Sequence, residues 1–166
     1  MIQTDLSAIA ADAAAKVEEN QAFVQMLKNM DSSDIDRKVF RLNEEIAPKI
    51  ECTACGNCCK TLMVNVEPPE ADRLASHLDM DRATFDERYV EKSRHSGRML
   101  LNAIPCHFLE GNNCSVYPYR FAGCKEFPAL DQPLFTKRLF TVFMHYGRCP
   151  IIYNVVEKLK AELGFT

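Results

Sequence analysis

Cys52-Thr53-Ala54-Cys55-Gly56-Asn57-Cys58-Cys59 places four thiols in eight residues, and four further cysteines, Cys106, Cys114, Cys124 and Cys149, bring the total to eight. A Cys-x-x-Cys step sets two sulfurs on one side of a tight turn with backbone amides directed at them, which is how small tetrathiolate sites are built. The doublet adds a constraint. Neighbouring side chains diverge in most backbone conformations, so Cys58 and Cys59 are expected to serve different ions or opposite sides of one polynuclear cluster. Eight thiols match two tetrathiolate centres or one such cluster.

The rest of the composition narrows the setting. At 166 residues and 47% hydrophobic content the chain is long enough for one well-buried domain. Its formal charge is −3 and it has no long basic run, which argues against nucleic acid or an anionic membrane as partner. No apolar stretch approaches the ~20 residues of a membrane span. The opening residues are alanine-rich but carry Asp5 and Asp12 without a basic leader, so no secretion signal is read there. A cytoplasmic location is expected, where thiols stay reduced and a cysteine cluster is more often metal-binding or catalytic than a disulfide framework. A vicinal Cys58–Cys59 bridge would in addition be strained.

Apolar periodicity predicts mostly helices. Leu6, Ala10, Ala13, Val17, Val24 and Leu27 recur at helical spacing, so one long amphipathic helix is expected from Thr4 to Met30. Asp31 is positioned to cap a second helix, with Ile35, Val39, Leu42 and Ile46 on its stripe, ending near Pro48. A short connection makes these two an antiparallel hairpin that covers the cysteine domain or serves as a homodimer contact. Beyond the cysteine run, Thr61–Val66 reads as a weak strand. Pro68-Pro69 opens a helix faced by Ala71, Leu74, Ala75 and Leu78, and Asp81 caps another with Phe85 and Tyr89 one turn apart. Met99–Ile104 is short enough for a strand. Gly111-Asn112-Asn113 is a turn between Cys106 and Cys114, suggesting a hairpin with a thiol on each arm. Residues 121–127 read as a short helix, and 138–146, rich in aromatic and β-branched residues, as a buried strand. Pro150 starts a last helix with Ile152, Val155, Val156, Leu159 and Leu163 on one stripe and Gly164 as its stop.

The cysteine steps also follow a known order. Glu51-Cys52-Thr53-Ala54-Cys55-Gly56-Asn57-Cys58-Cys59, then Cys106-His107-Phe108-Leu109, Cys114-Ser115-Val116-Tyr117 and Cys124-Lys125-Glu126-Phe127-Pro128 resemble the zinc- or iron-chelating CxxCxxCC domain family, the YkgJ-type cysteine-cluster proteins. The resemblance spans roughly residues 50 to 130, with Cys149 as the distal cysteine. Two positions depart from the family pattern: Ile50 where an aromatic is usual, and Arg120-Phe121 where Arg-Pro is usual. Neither is a ligand. The resemblance implies metal binding without a settled reaction. A similar cluster in some flagellin lysine methylases keeps an enzymatic reading open.

Thiolates need nearby cations, and Lys60, Lys125 and Arg148 each adjoin a cysteine. Zinc suits closed tetrathiolate sites and is the preferred metal. Iron or an iron–sulfur cluster is the alternative, because Cys52-x-x-Cys55-x-x-Cys58 followed remotely by Cys149-Pro150 also resembles cubane ligation. Of the four histidines, His107 beside Cys106 and His145 ahead of Cys149 are candidate partners to a thiolate, whereas His77 and His95 read as structural or exposed. No Ser-His-Asp arrangement, phosphate loop or paired-carboxylate motif is present to suggest metal-free catalysis. The expected fold is mainly α with a few short strands, a small single domain around a cysteine-rich metal centre, preceded by an N-terminal helical hairpin. The extension is placed at residues 1–48 and the cysteine-cluster domain at 49–166. Three functions follow: a metal-binding protein, an enzyme using its metal for redox or group-transfer chemistry, or a zinc-stabilised interaction module.

Overall fold

The computed structural model describes residues 1–165. They are mainly α-helical, with two small two-stranded sheets. Asp5 opens helix α1 (Leu6–Ala15) by accepting from the Ala8 N–H. One residue, Lys16, leaves helical geometry before α2 (Val17–Lys28) begins, so the single helix expected over this stretch is broken. Asp31 caps α3 (Ser32–Ile46) by accepting from the N–H groups of Ser33 and Asp34, and the stripe Ile35, Val39, Leu42, Ile46 is fully buried as read.

The cysteine run folds into two single turns, α4 (Cys52–Cys55) and α5 (Asn57–Thr61), hinged at Gly56. Residues 62–66 are extended but not a full strand. α6 (Pro68–His77) starts on its two prolines with a reciprocal cap between Glu67 and Glu70, and α7 (Arg82–Tyr89) is capped by Asp81. β1 (Val90–Lys92) pairs antiparallel with β2 (Met99–Leu101), to which Val64, Asn65 and Val66 add backbone contacts. β3 (Leu109–Glu110) and β4 (Asn113–Cys114) form a hairpin. Cys114 lies on its second arm as read, whereas Cys106 precedes the first, in a turn closed by Leu109 N–H to the Cys106 carbonyl at 3.1 Å. α8 (Ala122–Glu126) carries Cys124.

The strand expected at 138–146 is instead helix α9 (Leu139–Met144). Leu139, Val142 and Tyr146 are buried while Phe140 is 84% exposed, a three-to-four-residue spacing that no strand could satisfy. α10 (Pro150–Glu162) begins at Pro150 behind Cys149 and buries Ile152, Val155, Val156 and Leu159. Among the described residues, no helix is long and apolar enough to cross a membrane.

The contacts divide the chain into two compact units, Met1–Glu51 with Pro128–Thr166, and Cys52–Phe127. In the first, which we call the helical unit, α10 packs against α1 and α3. An ion network runs along the same contact. Lys16 Nζ lies 2.5 Å from Glu157 and 2.8 Å from Asp12, and Lys160 Nζ lies 2.7 Å from Glu19 and 2.8 Å from Glu157. Tyr146 donates to Glu157 at 2.7 Å. Burial pushes the Glu157 carboxyl up, but hydrogen bonds from Lys16, Lys160 and Tyr146 outweigh it and hold it below its ordinary value. The network lies along the buried side of α1 and α2, which runs through Ile9, Asn20, Phe23 and Leu27 and leaves Val17 half exposed.

Asp36 is a second buried anchor. Its two carboxylate oxygens accept from the N–H groups of Leu134 and Phe135, each at 2.8 Å, and hold Leu134 in the left-handed region at φ 60°. Replacing Asp36 with Ala leaves both donors without an acceptor and should cost about 2–4 kcal/mol of stability. Urea unfolding followed by circular dichroism checks this, with Asp36→Asn expected to lose less because one acceptor remains.

Candidate metal centre

Seven of the eight cysteines fall in the second unit, Cys52–Phe127, which we call the cysteine unit. Its core is Val66, Ala71, Leu74, Ala75, Phe85, Leu101, Phe108, Val116 and Phe121, and Cys106, Cys114 and Cys124 pack on the outside of that core. The placement follows from a repeated local device. In Cys106-His107-Phe108 and Cys114-Ser115-Val116 the third residue is buried, and its backbone N–H is directed back at the cysteine sulfur two residues earlier. Such N–H donors favour the thiolate. Phe121 anchors the third thiol similarly, because Cys124 N–H donates to its carbonyl at 3.0 Å at the start of α8.

Cys59 joins these three. Its carbonyl accepts from the Cys106 N–H at 2.8 Å, fixing the doublet beside the Cys106 turn. Each of Cys106, Cys114 and Cys124 is raised above its ordinary value, first by burial and then by charge on the other cysteines, Cys59 among them. Cys124 is pushed up to about 12. Four sulfurs therefore lie within electrostatic reach of one another, on a surface where their anions are mutually unfavourable. Arg120 counters this at Cys114 and Cys124. It is held in place by stacking 3.8 Å from the Tyr117 ring and by donating to the Tyr117 carbonyl at 2.9 Å.

The doublet is closer than its spacing suggested. The Cys58 and Cys59 side chains interact directly, which raises Cys58 and lowers Cys59, with Lys60 assisting at Cys59. The two side chains thus converge within the turn of α5, and Cys58 also senses Cys124. Cys52 and Cys55 form a separate pair on α4, with Cys52 exposed and raised first by burial of its sulfur and then by Cys55. Among the described residues, no group of three or more Cys, His, Asp or Glu side chains is arranged closely enough to hold a metal ion. The remaining predicted ligand, Cys149, belongs to the helical unit as the N-cap of α10, where its N–H donates to the His145 carbonyl at 2.9 Å.

The histidines divide differently from their sequence positions. His107 bonds Asn102 at 2.5 Å through Nε2 and sets its ring edge against Tyr89. His77 stacks on Tyr119 with centroids 3.9 Å apart. Two residues that sequence reasoning did not assign to the site emerge from the geometry. Arg120 belongs to a motif position read only as a departure from a family pattern. Asn112, read as a turn residue, donates from Nδ2 to the Ala54 carbonyl at 3.0 Å and accepts from Lys60 at 2.5 Å. The only hint of that second role was an Asn next to Gly111 in a hairpin turn, which on its own signals the turn.

The donor set is chemically suited to a soft or borderline cation. Cysteine sulfurs matched with backbone N–H groups suit zinc and thiolate-bound iron, and a bound divalent ion would favour the thiolate form that burial first, and neighbouring charge second, disfavours at Cys106, Cys114 and Cys124. Neither a curated protein nor a solved structure matches the chain. The CxxCxxCC family model, described as a "putative zinc- or iron-chelating domain", matches residues 51–146, more than half of the chain and all of the cysteine unit. By that match this cysteine-cluster protein belongs to the CxxCxxCC family.

Proposed function

We propose that the cysteine unit is a metal-binding module in which Cys59, Cys106, Cys114 and Cys124 hold one ion, with Cys52, Cys55 and Cys58 contributing to a second site or to the far side of a polynuclear cluster. The observation that carries this reading is that Cys106, Cys114 and Cys124, from separated segments, pack against one apolar core, with Cys59 tied to Cys106 through the backbone and its charge acting on all three. Burying four repelling sulfurs together is unfavourable unless a cation offsets their charge. Zinc is the preferred occupant because it takes four sulfurs tetrahedrally without redox demands, and iron is the alternative. Bound metal would keep the thiols deprotonated and cross-link the three segments. Backbone N–H groups at Cys106 and Cys114, together with Arg120, would carry part of the excess negative charge.

A second reading has one observation in its favour. The cysteine unit holds seven thiols, so a second centre built within it has three, the ligand count at which catalytic zinc keeps an open position. On that reading the open site activates a bound molecule for redox or group-transfer chemistry.

Metal analysis with an absorption spectrum on anaerobically purified protein tests the main proposal. One to two equivalents of zinc, or iron with matching acid-labile sulfide, are expected per chain. A folded protein with all thiols free and no metal would sink it. Iron lost readily on exposure to air would favour the enzymatic reading over a closed zinc site.

A further inference from the structure

The turn Gly111-Asn112-Asn113 clamps the thiol run to the β3–β4 hairpin. Asn112 reaches both turns of that run, donating to the Ala54 carbonyl in α4 at 3.0 Å and accepting from Lys60 in α5 at 2.5 Å. Gly56, between those turns, lies directly over the Asn112 backbone. A Cβ there would sit 2.8 Å from the Asn112 carbonyl oxygen and 2.9 Å from its Cα, and Gly56 also occupies the left-handed region at φ 59°. Close approach and a positive φ both require glycine.

These contacts have a geometric result. Cys59 lies within α5 between the two bonded positions, immediately before Lys60, and Cys114 follows Asn112 by two residues along the hairpin. The Cys106 N–H to Cys59 carbonyl bond secures the other side of the same junction. An exposed asparagine thus joins two segments that supply thiols to one centre, although it is not itself a ligand type for zinc or thiolate-bound iron.

Resting on the metal-binding reading above, we propose that Asn112 is a positioning residue that sets the Cys59 sulfur relative to the Cys114 sulfur, so that the four-thiol centre forms with tetrahedral geometry. The Nδ2–H to Ala54 bond carries the orientation, and Lys60 fixes which way the amide faces. Partners of this kind that orient ligands without touching metal contribute about 10–100-fold to metal affinity.

Cobalt(II) is the probe, because its ligand-field absorption reports coordination geometry directly. Reduced full-length wild type titrated anaerobically should develop the intense band of a tetrahedral thiolate site. Asn112→Ala should bind about 10–100-fold more weakly and, at saturation, show a weaker and shifted band as solvent replaces a misplaced sulfur. Asn112→Asp keeps the acceptor for Lys60 but cannot donate to Ala54, so it should show the same band change, and it decides the matter if the alanine variant does not fold. Wild-type affinity and band in both variants would overturn the proposal. Weaker binding with an unchanged band at saturation would also overturn it, since that is what lost stability alone produces. Wild type that takes up no cobalt would overturn the metal-binding reading and this inference together, whereas the other two outcomes leave the metal-binding reading standing.

Discussion

Removing metal from the reduced protein with a strong chelator is expected to unfold the cysteine unit and leave the helical unit folded. Apart from α6 and α7, of ten and eight residues, the cysteine unit is built from short elements. Its turns α4, α5 and α8 are four, five and five residues long, and its strands are two or three residues. Isolated helices need about 12–15 residues to approach stability in water, and small two-stranded sheets are marginal. Its apolar core has nine buried residues, with three cysteines packed against it. Structural zinc can supply on the order of 10 kcal/mol, comparable with the whole stability of a domain. The helical unit has α1, α2, α3 and α10, of 10, 12, 15 and 13 residues, around side chains with no exposed surface such as Phe23, Ile35, Val39 and Val155. Hydrogen exchange by mass spectrometry, with and without chelator, should show protection lost across residues 52–127 and retained in α3 and α10. Unchanged protection in the cysteine unit after verified metal removal would mark the metal as dispensable for folding.

Local signals in the sequence identified most helix starts, because caps act over three or four residues. Asp31, Asp81, Pro68 and Pro150 each begin a helix where their chemistry predicts. Two errors came from reading composition as burial. In 138–146, aromatic and β-branched content outweighed the spacing of Leu139, Val142 and Tyr146, which already had a helical period. Along α1 and α2, the apolar stripe through Val17 does not coincide with the inner face. The inner face instead carries Asp12, Lys16 and Glu19, which are tolerated there because Glu157, Lys160 and Tyr153 meet them. A pairing between residues some 140 positions apart has no local signature. The same holds for the candidate centre. Its candidate cysteines are named by type and spacing alone, whereas the clamp at Asn112 depends on a tertiary approach to Gly56, and the contact of Cys58 with Cys59 depends on the turn geometry of α5.

That convergence makes the doublet the sharpest test of how the sulfurs are shared. Cys59→Ser should abolish or strongly weaken the site formed with Cys106, Cys114 and Cys124. Losing one of four thiolate bonds removes about a quarter of the ~10–16 kcal/mol that structural zinc supplies, on the order of 3 kcal/mol or about a hundredfold in affinity. Cys58→Ser should be milder at that site, because Cys58 is assigned with Cys52 and Cys55 to the other set of ligands and a serine hydroxyl keeps a polar neighbour beside the Cys59 sulfur. Cys52→Ser, changing the exposed member of the separate pair on α4, should leave that site intact and lower the total metal content only if a second ion is bound. Competition against a chromophoric chelator gives the affinities, and elemental analysis gives the counts. Equal losses in Cys58→Ser and Cys59→Ser would mean that both sulfurs bind the same ion. Wild-type affinity in Cys59→Ser would remove Cys59 from the centre and turn its close approach to Cys106 into packing alone.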